Sequence, residues 1–149
     1  MEIVIRDFDE LDVHTLYALL RVRQQVFIVE QECAYMDLDD RDQASRHIYI
    51  MEDGQIVAYA RIVPRGVAYP YASLGRIVTL SAFRNRGYGK ILVEKALEDL
   101  SASGETAVKI SAQVQAIGFY EKLGFRLTEK EQYDEDDIPH REMVCEVKK

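Results

Sequence analysis

Leu74-Gly75-Arg76-Ile77-Val78-Thr79-Leu80, followed shortly by Arg84-Asn85-Arg86-Gly87-Tyr88-Gly89-Lys90, is the stretch on which the fold turns. The first run is apolar and β-branched and reads as a strand. From residue 90 to 101 the apolar positions Leu92, Val93, Ala96, Leu97 and Leu100 recur with helical spacing, so the basic, glycine-bearing segment lies at a strand-to-helix junction. Gly87 and Gly89 lack a Cβ and let the main chain approach an anion, while the first-turn N–H groups of a helix have no partner within it. Arg84, Arg86 and Lys90 add positive charge. A Walker A loop would need Ser or Thr after Gly89-Lys90, where Ile91 stands. A dinucleotide fingerprint would need a third small residue, where Leu92 stands. The Arg-x-x-Gly-x-Gly remainder suits a pyrophosphate but is also compatible with a purely structural turn.

The next unit repeats the plan. Residues 107–112 read as a short buried strand and residues 114–123 as a helix ended by Gly124. This unit contains Ala116, Phe119, Tyr120, Lys122 and Phe125. Together, the glycine loop and the Ala-x-x-Phe-Tyr-x-Lys-x-Gly-Phe run resemble the GNAT superfamily of N-acetyltransferases. Arg21-Val22-Arg23-Gln24-Gln25-Val26-Phe27-Ile28-Val29-Glu30-Gln31, Tyr35-Met36-Asp37-Leu38-Asp39, Arg46-His47 and Asp136-Asp137-Ile138-Pro139-His140 with Met143 are similar to its ElaA-like branch. That resemblance spans nearly the whole chain and implies chemistry more firmly than it implies a substrate.

Composition sets outer bounds. A chain of 149 residues fits one domain, expected over 1–149, and 48% hydrophobic with 30% charged residues is ordinary for a globular protein. The net charge of −7 argues against a general nucleic-acid binder, although the basic patch at residues 84–90 survives that argument. No apolar run reaches the roughly 18 residues needed to span a bilayer, and no signal peptide is evident, so a cytoplasmic protein without a membrane partner is expected. Cys33 and Cys145 lack metal-type spacing and are expected as reduced, incidental thiols. The acidic run Asp37-Leu38-Asp39-Asp40-Arg41-Asp42 lacks the Gly and the Glu of a calcium loop, so no metal is expected and a solvated or Arg-paired loop is.

Along the chain the patterns predict a strand at residues 3–5, a helix at 13–27 capped by Asp12, and a polar loop or irregular helix at 30–45. A hairpin at Asp53-Gly54 joins strands at 47–51 and 55–63. After the two motif units come residues 126–133, an acidic turn at 134–137 that is either a plain hairpin end or a contact for a basic acceptor, and a last strand at 142–147. The fold class expected is α/β: a mixed, mostly antiparallel twisted sheet flanked by helices, the GNAT acyltransferase fold.

The resemblance further implies acetyl-CoA as cosubstrate and direct transfer to the primary amine of a small molecule. The cofactor-binding set it implies is Ile77, Val78, Thr79, Arg84, Asn85, Arg86, Gly87, Tyr88, Gly89, Lys90, Ala116, Phe119 and Tyr120. The strand at Ile77 to Thr79 should part from the strand ending at Ala112, with N–H groups near Ile77 and Val78 facing the thioester oxygen. Tyr120, with an ordinary pKa of about 10, is the candidate acid for the leaving thiolate; packing of Phe119 and Tyr120 against the sheet is the plainer reading. The carboxylate many relatives carry on the first motif strand is replaced here by Gly75 and Arg76, which leaves His47, His140 and Glu30 as candidate bases. Arg23 and Gln31, like Glu30 and Arg46, either line the acceptor pocket or brace the loop after residue 30, and Arg76 either binds an acidic group of the substrate or pairs with a nearby carboxylate. Tyr35, Tyr69 and Tyr71 could frame a pocket. The final strand often mediates pairing in the superfamily, which leaves a homodimer open. The alternative function is a non-catalytic CoA-binding sensor or interaction module of the same fold.

Overall fold

A computed structural model describes residues 1–147. Eight strands form one sheet in the order β1-β2-β3-β4-β5-β8-β6, with β7 paired to β8 as well. The strands are β1 Glu2–Asp7, β2 Arg46–Glu52, β3 Gln55–Val63, β4 Ala72–Thr79, β5 Ala107–Gln113, β6 Arg126–Leu127, β7 Tyr133–Glu135 and β8 Ile138–Glu146. Every pairing is antiparallel except β4 with β5. That agrees with the mixed, mostly antiparallel sheet expected from the sequence, and the exception has a cause: a parallel pair needs a long crossover, which helix α2, Tyr88–Ala102, supplies.

Helices cover both faces. On one lies α1, Val13–Arg23, whose Asp12 carboxylate caps the helix by accepting from the Thr15 N–H at 2.7 Å. Leu19, Val22 and Val26 pack there against Tyr49, Tyr59 and Val78. On the other face Leu92, Val93, Ala96 and Leu100 of α2 pack with Ile48, Ile50, Val57, Ile110 and Met143. The short helix α3, Ile117–Glu121, adds Ile117 and Tyr120 at the edge of that core. No helix among the described residues is long and apolar enough to cross a membrane.

Three local readings shift. The first helix does not end at residue 27: it passes into a π-helical stretch, Gln24–Glu30, with the Gln31 N–H donating to the Val26 carbonyl at 3.1 Å and Cys33 to Ile28 at 3.3 Å. Such widened turns are rare and turn side chains out of ordinary helical register. The helix foreseen at 114–123 is shortened, because Val114–Ala116 forms a 3₁₀ turn first. Strand β8 starts at Ile138, earlier than residue 142, and the segment before it supplies only the short β6 and β7, since Glu129, Lys130 and Glu131 between them are exposed.

Candidate functional site

β4 and β5 share only two registered pairs, Ala72 with Val108 and Ser73 with Lys109. Beyond these the strands separate and a cleft of about 900 Å³ opens between them. Its sheet walls are Leu74 to Thr79 of β4 and Ile110, Ser111 and Gln113 of β5. One flank is Ala116, Phe119 and Tyr120, and the other is Phe27, Gln31, Cys33 and Tyr35. Glu135, Asp136 and His140 of the β7–β8 hairpin line it too.

A bulge lies within the separated stretch of β4. Tyr59 pairs with Val78 but Arg61 pairs with Gly75, so Arg76 and Ile77 stand opposite the single residue Ala60. Arg76 takes the left-handed conformation, φ 52°, which costs a residue bearing a Cβ about 1–2 kcal/mol. Its side chain meets Asp37: Nε donates to Oδ1 at 2.8 Å and Nη2 to the carbonyl at 3.0 Å. Hydrogen bonds to charged groups contribute roughly 1.5–3 kcal/mol each, enough to offset the backbone cost.

Asp37 belongs to a larger network. Arg23, fully buried on α1, donates to Asp37 Oδ2 at 2.9 Å and to Asp42 Oδ1 at 2.8 Å. Arg61 on β3 holds Asp39 through two 2.8 Å bonds and Asp42 at 3.0 Å. Three arginines therefore face three aspartates, Asp37, Asp39 and Asp42, and the acidic run is the Arg-paired loop the sequence suggested. Arg23 is a brace and not a substrate ligand, because no part of it reaches the cleft. Arg76 lines the cleft, but its guanidinium is committed to Asp37 and Asp39. Arg46 also braces, holding Asp99 at 3.0 Å and Asp7 at 2.9 Å. Of the residues proposed for the acceptor pocket, Gln31 does line the cleft.

The candidate bases separate clearly. His47 is fully buried away from the cleft, donating from Nε2 to the Asp42 carbonyl at 2.9 Å and accepting at Nδ1 from the Tyr59 hydroxyl at 2.6 Å. Burial pushes its imidazole down, so it stays neutral with both nitrogens engaged, and the expectation of a catalytic role for it is corrected. Glu30 is corrected as well: it lies off the cleft, and its carboxylate pairs with Arg84 at 2.7 Å. His140 faces the cleft. Its Nδ1 donates to the Ile138 carbonyl at 2.7 Å, which leaves the lone pair on Nε2, 3.5 Å from Glu135 Oε2. The ring stacks on Tyr133, whose hydroxyl lies 2.6 Å from Ser111 Oγ.

Tyr120 stands on the other flank, edge-on to Phe119 and Phe125 with centroids 5.1 and 5.7 Å away. Burial pushes its hydroxyl up to about 12, so it remains protonated at neutral pH. The glycine loop abuts this flank. A Cβ at Gly89 would lie 3.3 Å from Phe119 Cζ, and Gly87, at φ 80°, forms the left-handed cap of α2 with open space around it. The N–H groups of Tyr88, Gly89 and Lys90 thus belong to a helix end beside the cleft. Several side chains of the loop are occupied elsewhere. The Tyr88 hydroxyl donates to Glu52 at 2.5 Å from a buried position, Arg86 lies over the Phe83 ring at 4.9 Å, and Arg84 donates to the Thr79 carbonyl at 3.0 Å. Lys90 and Asn85 are exposed.

Tyr35 and Tyr69 line the cleft, whereas Tyr71 lies behind, stacked on Tyr69 at 5.1 Å and donating to Glu142 at 3.3 Å. Sequence reasoning missed Arg61, Ser111 and Tyr133, whereas Glu135 falls within the acidic turn at 134–137 that the sequence offered as a plain hairpin end or an acceptor contact. Arg61 left a signal, a charge inside the apolar run Ile56-Val57-Ala58-Tyr59-Ala60-Arg61-Ile62-Val63, because a charge in a buried strand must be paired. Ser111 and Tyr133 carried none.

The Acetyltransferase (GNAT) family matches residues 13–125. ElaA of Escherichia coli is 38% identical over 141 residues, covering 93% of this chain and 92% of that protein. Its crystal structure superposes with a TM-score of 0.89 over 97% of this chain and 99% of that one. An acyl-CoA N-acyltransferase from Pseudomonas aeruginosa is 35% identical, with a TM-score of 0.90 and coverage of 97% and 99%. PaiA N-acetyltransferase of Thermoplasma acidophilum, solved in complex with coenzyme A, shares the fold at a TM-score of 0.71 and 15% identity over 99% and 100% of the chains.

The network has a pH signature. Burial raises the Asp39 carboxyl, but Arg61 outweighs it through hydrogen bonds and charge and holds the group at about 2, below its ordinary 3.8. Its contribution to stability is complete above 3.8 and is lost as pH falls through 2. Denaturant unfolding across that range should show a smaller fall in stability for Asp39→Asn than for the wild type; equal falls would remove Asp39 from the network's energetics.

Proposed function

The chain belongs to the acetyltransferase (GNAT) family and is an acyltransferase, and from that premise we propose that it transfers acetyl from acetyl-CoA directly to the primary amine of a small molecule. The observation that carries this reading is the placing of the α2 N-terminus, through Gly89 against Phe119, at a cleft opened where β4 leaves β5.

Acetyl-CoA supplies an acetyl group activated as a thioester. The fit to this chain rests on Gly87, which has open space around it, and on Gly89, whose close approach to Phe119 sets the free amides of α2 beside the cleft, with Arg84, Asn85, Arg86 and Lys90 around them. In this reading the main chain of Ile77, Val78 and Thr79 takes the pantetheine arm in place of a β5 partner, and the N–H groups near Ile77 and Val78 face the carbonyl oxygen where charge develops. Ala116 and Phe119 wall the thioester end.

His140 Nε2 takes the amine proton. Its tautomer is favoured by the Ile138 carbonyl, and Glu135 stabilises the imidazolium that forms. The Tyr120 hydroxyl gives a proton to the departing sulfur. Glu135 and Asp136 attract the cationic acceptor, since the arginines of the cleft floor are already matched by aspartates. The absence of a carboxylate on β4 is thereby met from β8. We extend the reading to a single domain over 1–149 in the cytoplasm, supported by one continuous sheet and two unpaired cysteines.

Calorimetric titration with acetyl-CoA should show micromolar binding that Gly89→Gln abolishes; a wild type that binds neither acetyl-CoA nor CoA would end the reading. Tyr120→Phe should lower turnover by roughly 10²-fold or more with acetyl-CoA affinity nearly unchanged, and an unaltered rate would remove its role as acid. His140→Gln should lower kcat/KM by a similar factor of roughly 10² with acetyl-CoA affinity nearly unchanged. An unaltered kcat/KM would assign the base elsewhere.

A further inference from the structure

We infer that Asp37 and Arg76 form a clamp that holds the β4 bulge, and through it the N–H groups of Ile77 and Val78, in the alignment acyl transfer uses. The inference rests on the acyl-transfer reading for its purpose, but the clamp itself is a property of the fold. Asp37 lies on the loop after α1, far from β4 in sequence, and joins two elements that do not otherwise share a side-chain bond. It takes Arg23 from α1 on Oδ2 and Arg76 from β4 on Oδ1, at 2.9 and 2.8 Å, and its carbonyl takes a second N–H from each, at 3.1 and 3.0 Å.

Arg23 is fully buried, so Asp37 is anchored to the rigid part of the fold. Arg76 sits at φ 52°, a conformation that a side-chain-bearing residue keeps only when its surroundings impose it. The next residues, Ile77 and Val78, line the cleft at the point where β4 has lost its β5 partner. Without that partner, nothing in the ladder on that side fixes the direction of their amides. Arg76 is therefore a positioning residue: its guanidinium acts by fixing its own backbone and not by touching substrate. Asp37 acts through it. The loop that carries Asp37 and the bulged end of β4 are thus parts of one bonded unit.

Two substitutions at position 76 separate this from other roles. Arg76→Ala and Arg76→Gly both delete the guanidinium, but only glycine takes the left-handed conformation without cost. Neither removes a carboxylate from buried Arg23. In the free protein, hydrogen exchange at the Ile77 and Val78 amides should accelerate about tenfold in Arg76→Ala, the ratio the left-handed penalty corresponds to, and stay near wild type in Arg76→Gly. With ligand, the change in these amide resonances between the CoA and acetyl-CoA complexes should be lost in Arg76→Ala and kept in Arg76→Gly. Asp37→Asn, where it folds, should match Arg76→Ala.

Exchange that matches wild type in Arg76→Ala would overturn the clamp, whatever the glycine variant does; acceleration in both variants would mean that the guanidinium holds the bulge beyond offsetting the left-handed cost. A wild type that binds no acetyl-CoA would instead end the acyl-transfer reading, while the exchange comparison on the free protein still decides the clamp.

Discussion

A parallel pairing that ends after two residue pairs is the constraint on which this molecule is built. Every other pairing in the sheet is antiparallel, so β4 and β5 are the only neighbours that must be joined by a crossover, and α2 supplies it. The same crossover delivers a helix N-terminus beside the gap. β4 leaves β5 after Ser73 and bulges at Arg76, so Ile77 to Thr79 line the cleft without a β5 partner.

Along and behind one wall of that cleft lies a set of matched charges. Arg23, Arg61 and Arg76 are each held by two carboxylates, and the three aspartates come from a loop of little regular structure. Buried charges persist only when paired in this way, and each pair also ties the loop to α1, β3 or β4. With Arg61 and Arg76 matched within the network, Glu135 and Asp136 of the β7–β8 hairpin add acidic groups to the cleft lining. Asp136 and Asp137 occupy left-handed positions there, at φ 53° and 63°, as a two-residue hairpin turn requires.

Much of this was legible in the sequence. Helical spacing from Leu92 to Leu100, the β-branched run before Arg84, the Asp53-Gly54 turn and the Asp12 cap all follow from local chemistry, because each depends on residues within a turn or a strand of one another. The glycine loop and Tyr120 were legible as a pattern shared with a family. The histidines were not. His47 and His140 both begin or precede apolar strand segments, and only the tertiary structure buries one against Tyr59 and Asp42 while turning the other into the cleft.

By itself the sequence determined the main helices and strands up to Gln113, the anion-suited helix end and the family. The tertiary structure alone decided which charges are spent and which are free. Whether Glu30, Arg23, Arg76 or His47 is available for chemistry depends on partners that lie far away along the chain, such as Arg84, Asp37, Asp39 and Tyr59, and the energy of a buried charge or imidazole is set by those distant partners and not by its neighbours in sequence.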